Sequence, residues 1–196
     1  MNSRVKALRL SEMANYDTEK LKPGYKGTFV ITDHFASHHH WDLRLEFPST
    51  SLKRSLGEYG DKRKPGGPEP VKKDYSDKPG NVLRSWAIPK HKLPTAKPIL
   101  ATETEDHAME YGSFHGTIPE GEYGAGKVEI YDKGTYEMIS VDYDKKYVFR
   151  LKGKKIDETY ALVKSSGKNF FWIKTKKYSV ASMIRNITSS IIKPKP

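Results

Sequence analysis

The sharpest pattern in the chain is a strict alternation over residues 40–47. Trp41, Leu43, Leu45 and Phe47 fall on one face, while His40, Asp42, Arg44 and Glu46 fall on the other. A period of two belongs to a β-strand whose apolar face packs on a core. Residues 28–32, dense in β-branched and aromatic side chains, predict a strand just before it. Further strands are expected over 82–88, 99–105, 127–131, 135–139, 146–151, 160–164 and 170–174. Short strands separated by turn residues predict a mainly β fold, an antiparallel closed or nearly closed β-barrel with short peripheral helices. Closure removes the exposed edges that such strands would otherwise present. Strands 160–164 and 170–174 should pair, with Trp172 in the core.

Two segments break the pattern. Residues 48–80, rich in proline, glycine and charge, are too long for a hairpin loop and predict an insertion, either locally structured or a mobile lid. Val180, Met183, Ile184, Ile187 and Ile191 follow helical spacing after Ser179, an N-cap residue. They predict a short amphipathic helix near 180–192, packed on the barrel. Residues 1–27 mix charge with scattered apolar positions and read as an N-terminal arm, with a turn at Lys22-Pro23-Gly24. One domain, 28–196, is expected to hold the chemistry.

Composition narrows that chemistry. A chain of 196 residues supports one core of ordinary size. The absence of cysteine excludes disulfides and thiolate ligands, so any metal must be held by His, Asp or Glu. Those ligands suit Mn²⁺, Mg²⁺ or Zn²⁺. No run of about 18 apolar residues is present to cross a membrane, and residues 1–6 carry no apolar signal core. The formal net charge of +11 favours a polyanionic partner such as nucleic acid. The same excess also fits a surface built only for solubility, since 24 acidic residues are interspersed.

The densest chemistry lies between His34 and Arg44. Alternation projects His40, Asp42 and Arg44 from one strand face, about 6–7 Å apart in succession. His34 lies just before a short turn and can fold back onto that face. Two imidazoles and a carboxylate make a facial ligand set that leaves positions open for water and substrate. Arg44, next in the row, can hold a phosphate oxygen through its planar fork. The plainer interpretation is an exposed polar face with incidental histidines. His38 and His39 sit in the turn and are expected not to be ligands.

Three weaker signals follow. His107 can act as a general acid or base, and Tyr111 lies on its side of a helical turn if one forms there. Glu103 and Glu105 are read as metal-side groups or as solvated carboxylates. The glycine-rich run 118–126 either cradles a phosphate or is simply a tight loop into the next strand. Lys90 follows a strand end and Pro89, a suitable place for a phosphate-binding lysine, although lysines there are more often solvated.

Taken together these motifs resemble the 3′-phosphoesterase module of bacterial DNA ligase D, including its stand-alone archaeal and bacterial forms. The resemblance spans residues 28–174. It is carried by His34-x5-His40-Trp41-Asp42-Leu43-Arg44-Leu45-Glu46, by Ser85-Trp86-Ala87-Ile88-Pro89-Lys90, by Glu105-Asp106-His107-x3-Tyr111, and by Ile118-Pro119-Glu120-Gly121-x-Tyr123-Gly124-Ala125-Gly126. It implies a Mn²⁺-dependent phosphodiesterase and phosphomonoesterase that trims 3′ ribonucleotide or 3′-phosphate ends in DNA repair. His34, His40 and Asp42 would bind the metal, Arg44 and Lys90 the phosphate, and His107 and Tyr111 would complete the catalytic site with Arg44. Eight residues before His107 the family has a phosphate-binding arginine; this chain has Ile99, with Lys97 nearby. The implied partners are DNA or DNA/RNA 3′ ends, with separate ligase, polymerase and Ku-type end-joining proteins. A monomer in the prokaryotic cytoplasm, associated with the nucleoid, is expected. The competing expectation is a non-catalytic basic β-barrel that binds nucleic acid.

Overall fold

The alternating segments all become strands in the computed structural model, which describes residues 16–50, 80–107, 109–120 and 124–175. They are β1 (Lys26–Phe35), β2 (His40–Ser49), β3 (Gly80–Ile88), β4 (Ile99–Glu103), β5 (Gly116–Ile118), β6 (Gly126–Asp142), β7 (Lys146–Gly153), β8 (Asp157–Ser166) and β9 (Asn169–Lys174). The order is β1-β2-β3-β4-β9-β8-β7-β6, and β6 pairs back with β1, closing an antiparallel barrel. The short β5 adds to the start of β6.

The two strands expected at 127–131 and 135–139 are one. Ile31 pairs with Asp132 but Thr32 pairs with Ile130, so Tyr131 is an extra residue in β6. Such a bulge bends a strand without ending it. One long strand therefore serves β1 over 127–137 and β7 over 134–142. The displaced Tyr131 ring packs 4.2 Å from that of Trp41.

Alternation puts Leu43, Leu45 and Phe47 inside, fully buried against Trp86, Phe149 and Trp172. Each such side chain contributes about 1.5–3 kcal/mol by leaving water. One inward position breaks the apolar rule. Arg84 pairs across from Leu45 and is 1% exposed. Its Nε donates to Glu103 Oε1 at 2.6 Å, its Nη1 to the Tyr147 hydroxyl at 2.6 Å and its Nη2 to Asp144 Oδ1 at 3.2 Å. The guanidinium also lies 4.9 Å from the Tyr16 ring centroid.

Residues 16–25 pack on the barrel ahead of β1. Leu21 is buried in the core, and the Tyr16 hydroxyl donates to Asp106. In place of peripheral helices the described residues hold one 3-10 turn, Met109–Ser113. The helix expected at 180–192 lies outside the described residues, as does most of the 48–80 insertion. No helix among the described residues is long and apolar enough to cross a membrane.

Candidate metal and phosphate site

Pairing of β1 with β2 turns the polar row into a two-strand patch on the outside of the barrel. Thr32 faces Asp42, and His34 faces His40 directly. His34 therefore does not reach in from the turn; it belongs to β1 itself, and cross-strand partners share a face. The apolar partners of this row fill the barrel behind it, which holds the patch rigid.

Backbone carbonyls preset both imidazoles. His34 Nε2 donates to the Gly124 carbonyl at 2.8 Å, leaving the lone pair of Nδ1 facing Asp42 Oδ2 at 3.6 Å. His40 Nδ1 donates to the His38 carbonyl at 2.7 Å, leaving Nε2 at 3.5 Å from Asp42 Oδ1. A carbonyl only accepts, so each contact selects one tautomer and aims the other nitrogen, as for metal-binding histidines generally. The ligand atoms of His34, His40 and Asp42 all lie within 4.8 Å of one another. This donor set fits a divalent cation with open coordination positions. Gly124 carries a φ of +77°, a conformation that favours glycine. Among the described residues of the glycine-rich run, Gly124 acts on the site through its carbonyl, a role that the sequence did not reveal.

Arg44 lies beside the triad. Its Nη1 donates to Thr32 Oγ1 at 2.8 Å and its Nη2 to Asp42 Oδ2 at 3.0 Å. Its buried Nε has no hydrogen-bond partner among the described residues. Arg44 lines the cleft, and a guanidinium with a donor to spare suits an anionic oxygen. Burial alone would raise the Asp42 carboxyl, but Arg44, His34 and His40 together hold it well below the usual carboxylate range. A protonated His40 would donate from Nε2 to Asp42, and this raises the His40 pKa against the opposing effect of burial.

His107 arrives from the segment after β4. Its backbone pairs with Leu83, which fixes it over β3. The Ser85 hydroxyl donates to the Leu83 carbonyl and lies 3.0 Å from His107 Nδ1, so it accepts from that nitrogen. The 3-10 turn then brings the half-exposed Tyr111 ring within 4.9 Å of the imidazole. His34, His40, Asp42, Arg44, His107 and Tyr111 line one cleft of about 320 Å³, together with Thr32 and Glu105. Lys90 is exposed after β3 and is not part of that lining. Glu103 turns inward to Arg84 instead. Thr32 was not singled out by sequence and Ser85 was noted only as the start of a motif, because a hydroxyl in a strand shows no site role until its partners are known.

Burial, and then the nearby Arg44 charge, push the His107 pKa down to about 3. Between pH 6.5 and 3 the unfolded chain therefore binds a proton that the folded protein refuses. Stability should fall as pH drops through that window. Between pH 7 and 5 the loss is on the order of 1–2 kcal/mol. His40 contributes a slope of opposite sign, which cancels when wild type is compared with His107→Asn. Urea unfolding at pH 7 and 5 should show the steeper acid loss in wild type; equal slopes would contradict a buried neutral imidazole.

Comparisons with known proteins point to one family. Residues 77–164 match the family model of the DNA ligase D 3′-phosphoesterase domain. The multifunctional non-homologous end joining protein LigD of Mycolicibacterium smegmatis is 37% identical over 161 residues, covering 76% of this chain and 17% of that protein. The LigD of Mycobacterium tuberculosis is 37% identical over 155 residues, covering 76% and 16%. That of Pseudomonas aeruginosa is 29% identical over 155 residues, covering 76% and 15%. The chain thus spans less than a fifth of the length of each of these curated relatives.

Proposed function

The chain belongs to the DNA ligase D 3′-phosphoesterase domain family, and we propose that it is a metal-dependent hydrolase that trims the 3′ ends of nucleic acid. It removes a terminal ribonucleoside and then the remaining 3′-phosphate, leaving a 3′-hydroxyl for ligation. The observation that carries this reading is the preset His34–His40–Asp42 triad with the unmatched Arg44 Nε beside it. A divalent cation such as Mn²⁺, held by those three side chains, would supply Lewis acidity at a phosphoryl oxygen.

The chain's own residues do the rest. Arg44 binds the phosphate and stabilises charge as it builds on the oxygens. His107 is neutral in the free protein. A phosphate anion bound at Arg44 offsets the second of the two causes that lower the His107 pKa, and the anion's own negative charge favours the imidazolium that delivers a proton to the leaving oxygen. Tyr111 orients His107 or the phosphate. Lys90, outside the cleft, contacts a phosphate of the strand backbone. The relatives are named for non-homologous end joining. We assign this chain to the same process, in which the 3′-hydroxyl it leaves is the end that a ligase or polymerase activity takes up.

A primer–template ending in one 3′ ribonucleotide tests the reading. Mn²⁺-dependent shortening and phosphate release are expected. Salt-sensitive binding with no turnover under any divalent cation would instead establish a basic binding module.

A further inference from the structure

Three rings lie in a row beside the turn that joins β1 to β2. Phe35 ends β1, His39 sits in the turn to β2, and His91 follows β3. The Phe35 and His39 rings are stacked, with centroids 4.5 Å apart and planes within 18°. The His39 and His91 rings are stacked at 4.2 Å and 15°. Asp33 Oδ1 accepts a hydrogen bond from His39 Nε2 at 2.5 Å and so fixes the middle ring. Two separate elements thus converge to build one flat column.

The column contributes little to the fold. None of its members belongs to the core, and Phe35 is 43% exposed. Among the described residues no other ring covers the far face of Phe35. The column does not line the cleft, but the turn that carries two of its rings does. Ser37 and His38, between Phe35 and His39, line the cleft, and His34 and His40 bracket the segment. Lys90 and Lys92 flank His91, and both are exposed.

We propose that Phe35, His39 and His91 form a stacking platform for an unpaired nucleobase of the strand whose 3′ end enters the cleft. This rests on the 3′-end reading above. A nucleobase presents a flat π face whatever its identity, and stacking on aromatic rings holds it without selecting sequence. The flanking lysines match the phosphates that accompany such a base. An end-trimming enzyme needs a grip of this kind, because the terminus it meets can carry any base.

The test uses the full chain, Mn²⁺ and a single strand with a non-hydrolysable 3′-phosphonate and 2-aminopurine near that end. Wild type should bind it and quench the 2-aminopurine. Phe35→Ala should weaken binding about tenfold and abolish the quench, and Phe35→Trp should restore both. His91→Asn, which tolerates the φ of +35° at that position but lacks a ring, should lose part of each. On a 3′-phosphate strand whose last nucleosides are abasic, Phe35→Ala and wild type should release phosphate equally. Binding by wild type without quenching would overturn the platform, as would unchanged quenching in Phe35→Ala and His91→Asn. So would an equal defect of Phe35→Ala on the abasic strand, which would mark damage to His34. Quenching that depends on Phe35 in a protein that never releases phosphate would uphold the platform and sink the 3′-end hydrolase reading instead.

Discussion

His40→Ala is expected to cut Mn²⁺-dependent phosphate release about a thousandfold or more while moving the melting temperature only a little. The rate loss follows from removing one of three donors that hold the cation against the phosphate. A Lewis-acid contact in the transition state supplies several kcal/mol, and each 1.36 kcal/mol is a factor of about ten. The small stability change follows from the surroundings. The His40 side chain is 23% exposed, and its ring makes a hydrogen bond to a turn carbonyl, a contact with Asp42 and a tilted ring contact with His34. Asp42→Asn should be as inactive but less stable, because the buried Arg44 guanidinium would lose the carboxylate it faces at 3.0 Å. Calorimetric titration with Mn²⁺, run beside phosphate release, checks both variants. A folded His40→Ala protein with wild-type turnover and metal affinity would remove the triad from the mechanism.

The row at 40–44 was legible because one physical rule governs it. Side chains alternate across a strand, so an apolar face on one side guarantees that His40, Asp42 and Arg44 share the other. The barrel was legible for the same reason, repeated along the chain. What alternation cannot supply is register. It does not say that His34 faces His40, and so His34 was expected from the turn. Nor does it reveal that the carbonyls of Gly124 and His38 aim the imidazoles, since every residue has a carbonyl. The single β6 was read as two strands because its bulge at Tyr131 interrupts the period of two. Lys90 looked well placed by chain position alone, yet its side chain lies outside the cleft lining.

Arg84 shows the limit from the other side. Val82, Arg84, Trp86 and Ile88 form the inward row of β3, and a charge in such a row contradicts the pattern unless distant partners meet it. Glu103, Asp144 and Tyr147 do so, and only the closed barrel brings them together. Arg84→Ala should therefore be among the most damaging substitutions to stability. It strands two carboxylates and leaves space among Tyr16, Phe47, Trp86 and Phe170. Breaking a buried pair from one side costs about 3–5 kcal/mol. The low end applies, because the side chains of Glu103 and Asp144 are 18% and 24% exposed and regain some water. For a chain of this length a loss of about 3 kcal/mol lowers the melting temperature by roughly 6–12 °C. The effect should reach the site as well. Ser85, the next residue, points outward to hold His107, and Asp106, which precedes His107, is held by Tyr16. Loosening Arg84 thus frees the segment that carries His107, and kcat should fall with little change in metal affinity. Thermal melting by circular dichroism decides the first part, and a shift under about 2 °C would refute it. A metal affinity lost in parallel with kcat would refute the second, because His34, His40 and Asp42 stand on β1 and β2, and the carbonyls of Gly124 and His38, not that segment, orient the two imidazoles.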